Sequence, residues 1–112
     1  MPVEKRKKSM LIYNTTYHVG FNDARNFVIW IHQAYIPEAV ASGLLGKPRL
    51  CRILSHHDED SECFSLQFEV DDSAKLHQWY VAKGEALHEE MQKVFKDKVA
   101  GFTTLMEVIE GD

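Results

Sequence analysis

Alternation of apolar and polar positions is clearest between residues 63 and 70. Every second side chain there is apolar: Phe64, Leu66, Phe68 and Val70. A period of two places these side chains on one face of a β-strand and the residues between them on the other. Residues 10–19 and 99–109 are rich in β-branched and aromatic residues and predict two further strands, and residues 47–55 predict the fourth.

Helical spacing of apolar residues appears twice. The first helix is expected to follow the capping residues at 21–23 and to kink or end at Pro37, which lacks an N–H and crowds the preceding turn. A last turn then starts with Pro37 and stops at Gly43. The second helix is capped by Asp72 and Ser73, and its apolar stripe is expected to contain Leu76, Tyr80, Leu87, Met91, Val94 and Phe95.

The resulting order, β-α-β-β-α-β, predicts an α+β domain of the ferredoxin-like βαββαβ type. Its four-stranded antiparallel sheet carries two helices on one face. Two helices cover only that face, and outward positions still include apolar residues such as Ile12, Leu50, Leu54 and Leu105. A half-apolar open face favours a homodimer, in which a second copy covers it.

The length and charge of the chain limit its domain organisation, its partners and its cellular location. A chain of 112 residues suits one domain, which we expect to span residues 10–112. Residues 1–9 form a basic arm, expected to be disordered, through Lys5, Arg6, Lys7 and Lys8. The net charge of −4 argues against nucleic-acid binding. No signal peptide or membrane span is predicted, so we expect a cytoplasmic protein.

Five segments, in this order, carry a resemblance to a known family: MLIYN, IPEAVASG, LCRIL, FSLQFEV and KVAGFTTLMEVI. Over about residues 10 to 110 the chain resembles a bacterial domain-of-unknown-function family of short proteins. That family resembles the dimeric α/β-barrel group, in which two ferredoxin-like sheets face each other. The group includes cofactor-independent monooxygenases, haem-degrading and chlorite-splitting enzymes, and binding proteins. The resemblance therefore implies fold and dimerisation, not a particular chemistry.

One position departs from the family pattern. Relatives carry a histidine just before Ile-Pro-Glu, whereas this chain has Tyr35 there and His32 three residues earlier. The resemblance consequently does not transfer a histidine-based chemistry to this chain.

Candidate ligand-binding residues fall into two groups. If the hairpin turns near Glu59 and Asp60, Arg52 pairs with Gln67 on the face away from the helices, where Asn14 can join them. These groups would bind an anionic ligand, or form an interface network in which Glu69 neutralises Arg52. The second group is aromatic and lies on the helices, where it forms either a pocket or part of the core: Trp30, His32, Tyr35, Trp79 and Tyr80.

Metal-ligand residues cluster in the loop His56, His57, Asp58, Glu59 and Asp60. Five adjacent residues of one loop cannot all converge on an ion, so we expect a solvated turn, no metal and no cofactor. Cys51 and Cys63 are expected to lie about 16 Å apart along the hairpin, too far for a disulfide.

Two functions remain open from the sequence. The first is a small-molecule binding or structural module, because no nucleophile–base pair, phosphate-binding loop or dinucleotide fingerprint is present. The second is a cofactor-independent, monooxygenase-like enzyme acting on a small aromatic or phenolic substrate. We expect no nucleic-acid or membrane partner, although contact through the basic arm is a weaker alternative.

Overall fold

The computed structural model describes residues 9–111, so all but the last residue of the basic arm predicted at residues 1–9 lies outside the described chain. Its strands are β1 (Leu11–Gly20), β2 (Gly46–Arg52), β3 (Ser61–Val70) and β4 (Val99–Glu107). Its α-helices are α1 (Ala24–Trp30), α2 (Ile36–Ala41), α3 (Ser73–Trp79) and α4 (Glu85–Phe95). A π-helical turn (Ile31–Tyr35) joins α1 to α2, and these form the first helical layer. A second π-helical turn (Tyr80–Gly84) joins α3 to α4, and these form the second helical layer.

The four strands form one sheet in the order β2-β3-β1-β4, and every neighbouring pair is antiparallel. The predicted ferredoxin-like α+β fold is confirmed. The odd-numbered residues of β1 face the helices together with the apolar even-numbered residues of β3. Side chains of both helical layers meet them in one core: Phe27, Ile31, Phe64, Leu66, Phe68, Val70, Trp79, Leu87, Met91 and Phe95.

The predicted cap of the second helix is found, but residues 21–23 form a 3-10 turn and the side chain of Asp23 does not cap α1. The carboxylate of Asp72 accepts the backbone N–H of Lys75 at 2.8 Å and so caps α3. Pro37 lies in the first turn of α2, directly after the π-helical turn. A π turn widens the helix at the place where a proline ring would clash with the preceding turn.

The prediction of which apolar residues are buried on the second helix was partly wrong. Leu87, Met91 and Phe95 are buried, but Tyr80 and Val94 are exposed and Trp79 takes the core position instead. The π-helical turn Tyr80–Gly84 rotates the residues after it relative to a regular α-helix, so the spacing read from the sequence does not continue across it.

The predicted register of β2 against β3 was also wrong. Arg49, not Arg52, pairs with Gln67, and Arg52 pairs with Phe64 on the helix side of the sheet. The loop explains this shift, because the Asp58 side chain accepts the backbone N–H of Asp60 and the hydroxyl of Ser61. The turn is therefore centred on Asp58, and the resulting three-residue shift moves every side chain of β2 to the opposite face.

The open face of the sheet is less apolar than the sequence suggested. Leu50 and Leu105 pair with Leu66 and Tyr13 and so lie on the helix side. Ile12 stays on the open face, beside Met106 on β4. Phe102, with 56% of its surface exposed, extends this apolar strip along β4. Among the helices of residues 9–111, none combines the length and apolar character that crossing a bilayer requires.

Gly101 is the residue where the packing of β4 leaves least room. A Cβ atom there would lie 2.8 Å from Cδ1 of Tyr17, which is buried. We expect Gly101→Ala to lower the free energy of unfolding by about 1–3 kcal/mol, because the Tyr17 ring must shift. Gly46→Ala is the control, since a Cβ at Gly46 meets nothing within 4 Å. Urea denaturation that gives equal midpoints for both variants would contradict this packing.

Candidate functional site

A cavity of about 470 Å³ lies between the second helical layer and the helix-side face of β1 and β4. This size is within the range of small-molecule sites. It forms because β4 is the edge strand and the helices do not close over it. Its walls are largely tyrosine, threonine and small residues: Tyr13, Thr15, Tyr17, Tyr35, Tyr80, Gly84, His88, Met91, Gln92, Val99, Ala100, Gly101 and Thr103.

The floor of the cavity comes from the pairing of β1 with β4. Tyr13, Thr15 and Tyr17 alternate along β1 and therefore share the helix-side face. Thr103 pairs with Thr15, and Gly101 pairs with Tyr17. Large side chains on the central strand thus stand beside small ones on the edge strand, and the difference in size leaves the space open.

The two π-helical turns supply the remaining tyrosines. Tyr35 ends the first turn and Tyr80 begins the second. The Tyr35 ring packs against Phe68 and Trp79, with both centroid distances at 6.1 Å. Single π turns recur at functional sites because they redirect side chains that a regular helix would place elsewhere.

Burial sets the protonation state of the inner tyrosines. Loss of solvent raises the pKa of Tyr13, Tyr17 and Tyr35 above the ordinary value. Neighbouring phenols raise the pKa of Tyr17 and Tyr35 further, whereas hydrogen bonds to Thr15 and Tyr35 partly lower that of Tyr13. These groups therefore stay neutral at physiological pH. No carboxylate, lysine or arginine is among the lining residues, so the described part of the cavity carries no fixed charge other than that of a protonated His88.

Trp79 lies behind the cavity wall with its indole N–H next to the Tyr35 phenol. The residue is 1% exposed, and the N–H makes no hydrogen bond of good geometry within the described residues, but it is near enough to the Tyr35 hydroxyl to lower the pKa of that group. Gly84 lines the cavity, and a Cβ atom at that position would lie 3.0 Å from the indole nitrogen. Only glycine leaves this donor close to the cavity, where an acceptor could satisfy it.

The structure brings together some of the residues that the sequence indicated as ligand-binding candidates. Tyr35 and Tyr80 line the cavity, and Trp79 packs behind it. His32 is exposed on the first helical layer and lines none of the cavities described here. Asn14 and Gln67 are paired across β1 and β3 on the open face.

Arg52 does not take the position predicted for it. Its Nε atom lies 3.1 Å from a carboxylate oxygen of Glu62, and its guanidinium lies 5.5 Å from the centre of the Phe64 ring. Glu69, its expected partner, instead lies 3.8 Å from the Lys47 ammonium. The Arg52 side chain is 55% exposed, so its ion pair contributes little to stability.

Asn14 belongs to a small polar network in the open face. Its carbonyl oxygen accepts the hydroxyl of Ser65, and its amide donates to the hydroxyl of Thr16 at 3.2 Å. Asn14 is 8% exposed even though no helix covers this face. These two hydrogen bonds satisfy the buried side-chain amide of Asn14, so the amide does not require a ligand as a partner.

Sequence reasoning missed most of the cavity walls. Tyr13, Thr15 and Tyr17 were assigned only to a strand, and His88 and Thr103 were not considered. A usable signal was present, because β1 places two phenols and a hydroxyl on the face that must meet the helices. Polar groups on a core-facing strand indicate either a hydrogen-bond network or a cavity.

A second group of side chains meets on the open face. His18, His56 and Cys63 each offer one potential metal-ligand atom, and these atoms lie within 4.8 Å of one another. Burial raises the pKa of the Cys63 thiol, whereas the Asp60 N–H and the Ser61 hydroxyl lower that of Asp58. Both cysteines are free, with Cys51 exposed. Only His56 comes from the loop that the sequence indicated, and the expectation of no metal rested on that loop and on the spacing of the two cysteines, neither of which reveals a cluster built across strands.

Comparisons with solved structures support the fold. A dimeric ferredoxin-like protein from an uncultured marine organism has a TM-score of 0.67 and 13% identity, covering 93% of this chain and 99% of its own. A provisionally named antibiotic biosynthesis monooxygenase from Bacillus cereus has a TM-score of 0.63 and 9% identity, covering 93% and 97%. A protein from Shewanella oneidensis has a TM-score of 0.54 and 9% identity, covering 91% and 97%.

At these identities the likeness shows the fold alone. No curated protein matches the chain significantly. A family model, described as a domain of unknown function and named DUF4286, matches residues 10–109. That match covers nearly all of the described strands and helices, including both helical layers and both groups of side chains above. The chain therefore belongs to the DUF4286 family.

Proposed function

We propose that the protein is a small-molecule binding module whose ligand occupies the tyrosine-lined cavity. The observation that carries this proposal is a cavity of about 470 Å³ with aromatic walls and several hydroxyl groups. Ligand pockets typically combine apolar and aromatic walls with a few placed polar groups. Tyr13, Tyr17 and Tyr35 supply both, since each has a flat ring and a neutral hydroxyl.

The chemistry of the walls favours an uncharged, planar ligand. A carboxylate or phosphate would find no arginine or lysine among the lining residues, and burying it unpaired would be costly. A phenol or quinone would stack against the tyrosine rings and exchange hydrogen bonds with Thr103, Thr15 or Gln92. The indole N–H of Trp79, which makes no well-formed hydrogen bond and has the Tyr35 hydroxyl as its neighbour, could donate to a ligand that carries an acceptor near Gly84.

A homodimer is part of the proposal. Phe102 and Met106 remain exposed on the open face, and a second sheet packed there would remove both from water. The marine ferredoxin-like protein of similar fold is described as dimeric, which supports the same arrangement here. A reducing compartment such as the cytoplasm fits the two free thiols. We also propose a single domain over residues 10–112.

A second candidate function is a cofactor-independent monooxygenase, favoured by His88 at the cavity mouth. His88 is the only titratable imidazole among the lining residues and could accept a proton from a phenolic substrate. The reaction would convert a substrate CH2 group to C=O with O2, and the second oxygen atom would leave as water. The substrate itself supplies the electrons, so no cofactor is consumed. The name of the Bacillus cereus protein is the other support.

Binding to the cavity can be tested with 2-naphthol, a fluorescent bicyclic phenol. We expect Thr103→Phe to weaken binding at least tenfold, because the added ring occupies the space opposite Thr15. Thr103→Val keeps the side-chain volume and should lose less than Thr103→Phe. Fluorescence titration gives both dissociation constants. Equal affinity for wild type and Thr103→Phe would place the ligand elsewhere and overturn the proposal.

The two candidate functions differ in oxygen consumption. With anthrone, a tricyclic compound that carries a reactive CH2 group, an enzyme should consume one O2 for each quinone formed. His88→Ala should slow this reaction by about 10²-fold or more, as expected for loss of a general base. His32→Ala, an exposed histidine outside the cavity, is the control. An oxygen electrode that records no uptake above the protein-free rate would eliminate the enzyme and leave the binding module.

Sedimentation velocity tests the dimer. We expect wild-type protein to sediment as a dimer at micromolar concentration and Phe102→Lys to weaken the dimer at least tenfold, since the charge would be buried. Val81→Lys is the matched control, because Val81 is 64% exposed on the second helical layer and Phe102 is 56% exposed. A monomeric wild type, or an equal effect of both lysines, would contradict the proposed interface.

A further inference from the structure

Three potential metal ligands from separate segments converge on the open face of the sheet. His18 of β1 and Cys63 of β3 are directly paired in the β1–β3 ladder, and His56 reaches them from the loop 53–60. His18 Nε2 lies 3.9 Å from Cys63 Sγ, and the His18 and His56 ring centres are 5.4 Å apart. Side chains this far apart in sequence meet only because the sheet brings them together.

We propose that His18, His56 and Cys63 form a binding site for a divalent transition-metal ion of the Zn²⁺ class. Two imidazoles and a thiolate are borderline-to-soft ligands, which select Zn²⁺ over Mg²⁺ or Ca²⁺. Three protein ligands leave the fourth tetrahedral position for a water molecule. On binding, the Cys63 thiol releases its proton to solvent and coordinates as the thiolate.

The distances are close to those that a bound ion requires. Bond lengths of about 2.0–2.3 Å separate tetrahedral nitrogen and sulfur ligands by about 3.3–3.6 Å. The distance of 3.9 Å between His18 Nε2 and Cys63 Sγ is slightly longer than that range. All ligand atoms of the cluster lie within 4.8 Å of one another, which exceeds the range by at most roughly 1.2 Å. His18 is exposed and His56 lies in a loop, so small side-chain rotations can close the difference without moving Cys63 and its strand.

Hydrogen bonds from groups behind the proposed ligands orient the imidazole of His56. The hydroxyl of Ser61 donates its single proton to Asp58 at 3.0 Å, so it can only accept from His56 Nε2, which lies 2.9 Å away. In this arrangement a neutral His56 ring donates from Nε2, which leaves the lone pair of Nδ1 for a metal ion. Metal-bound histidines commonly donate their second ring N–H in this way, to a partner that fixes the tautomer.

A second, shallower cavity of about 270 Å³ adjoins the site. His56, Cys63, Ser61 and Asp58 line it but His18 does not, so it reaches two of the three proposed ligands, and His18 approaches from the exposed surface of the sheet. The site lies on the face of the sheet opposite the tyrosine-lined cavity. The inference consequently does not depend on the proposed small-molecule function.

The test is metal binding by the untagged full chain after chelator treatment. Dialysis against Zn²⁺ followed by elemental analysis should give about one Zn²⁺ per chain. With Co²⁺ as the probe, a thiolate-to-metal charge-transfer band should appear in the near-ultraviolet. Zn²⁺ should also raise the melting temperature, because an ion that binds the native state stabilises it.

Matched variants distinguish this site from adventitious binding. Cys63→Ser should abolish the Co²⁺ charge-transfer band, and both Cys63→Ser and His18→Gln should lose at least nine-tenths of the bound Zn²⁺ under the same dialysis. Cys51→Ser and His57→Gln should keep both signals, since Cys51 is the exposed second thiol and His57 the neighbouring loop imidazole. His18→Gln changes a side chain that is exposed in the single chain, so it remains informative if Cys63→Ser fails to fold, and since His18 stacks against Phe102, sedimentation of His18→Gln must show the wild-type oligomeric state. Zn²⁺ binding that is absent in wild type, or that survives in His18→Gln, would overturn the proposal.

Discussion

The alternation of side chains along β1 is the constraint on which the rest of the molecule depends. β1 is hydrogen-bonded to β3 on one side and to β4 on the other over nearly its whole length. Its odd-numbered residues, including Tyr13 and Tyr17, build the floor of the large cavity, while Asn14 and His18 stand on the opposite face. A slip of one residue would exchange the two sets, so the same ladder determines both candidate sites.

The cavity exists because the helices end their cover before the edge strand β4, and because β4 has small side chains at that place. The helices cover β3 and β1 with large side chains, but β4 lies beyond them and offers Gly101 and Thr103. The π-helical turns then direct Tyr35 and Tyr80 into the space. The core is tightly packed where the two helical layers cover β3 and β1, and the cavity stays open because these layers do not extend over β4.

The two candidate sites differ sharply in chemistry. The cavity is lined by neutral phenols and hydroxyls, and burial keeps the inner phenols protonated. The open-face cluster instead combines imidazoles with a thiol and is backed by the carboxylate of Asp58. The sheet itself separates them, so a planar organic ligand and a metal ion would not compete for the same groups.

The sequence by itself determined the order of elements, the alternation of β3, the cap at Asp72 and the change of helix geometry before Pro37. Each of these depends on residues a few positions apart, whose effect on the backbone is local. The β2–β3 register also rests on local contacts, the hydrogen bonds of Asp58 to residues 60 and 61, but the run of polar residues at 55–62 offers several turn centres and only the structure shows which one forms. Only the tertiary structure decided that His18 meets Cys63, since contacts between distant segments depend on how whole strands pair.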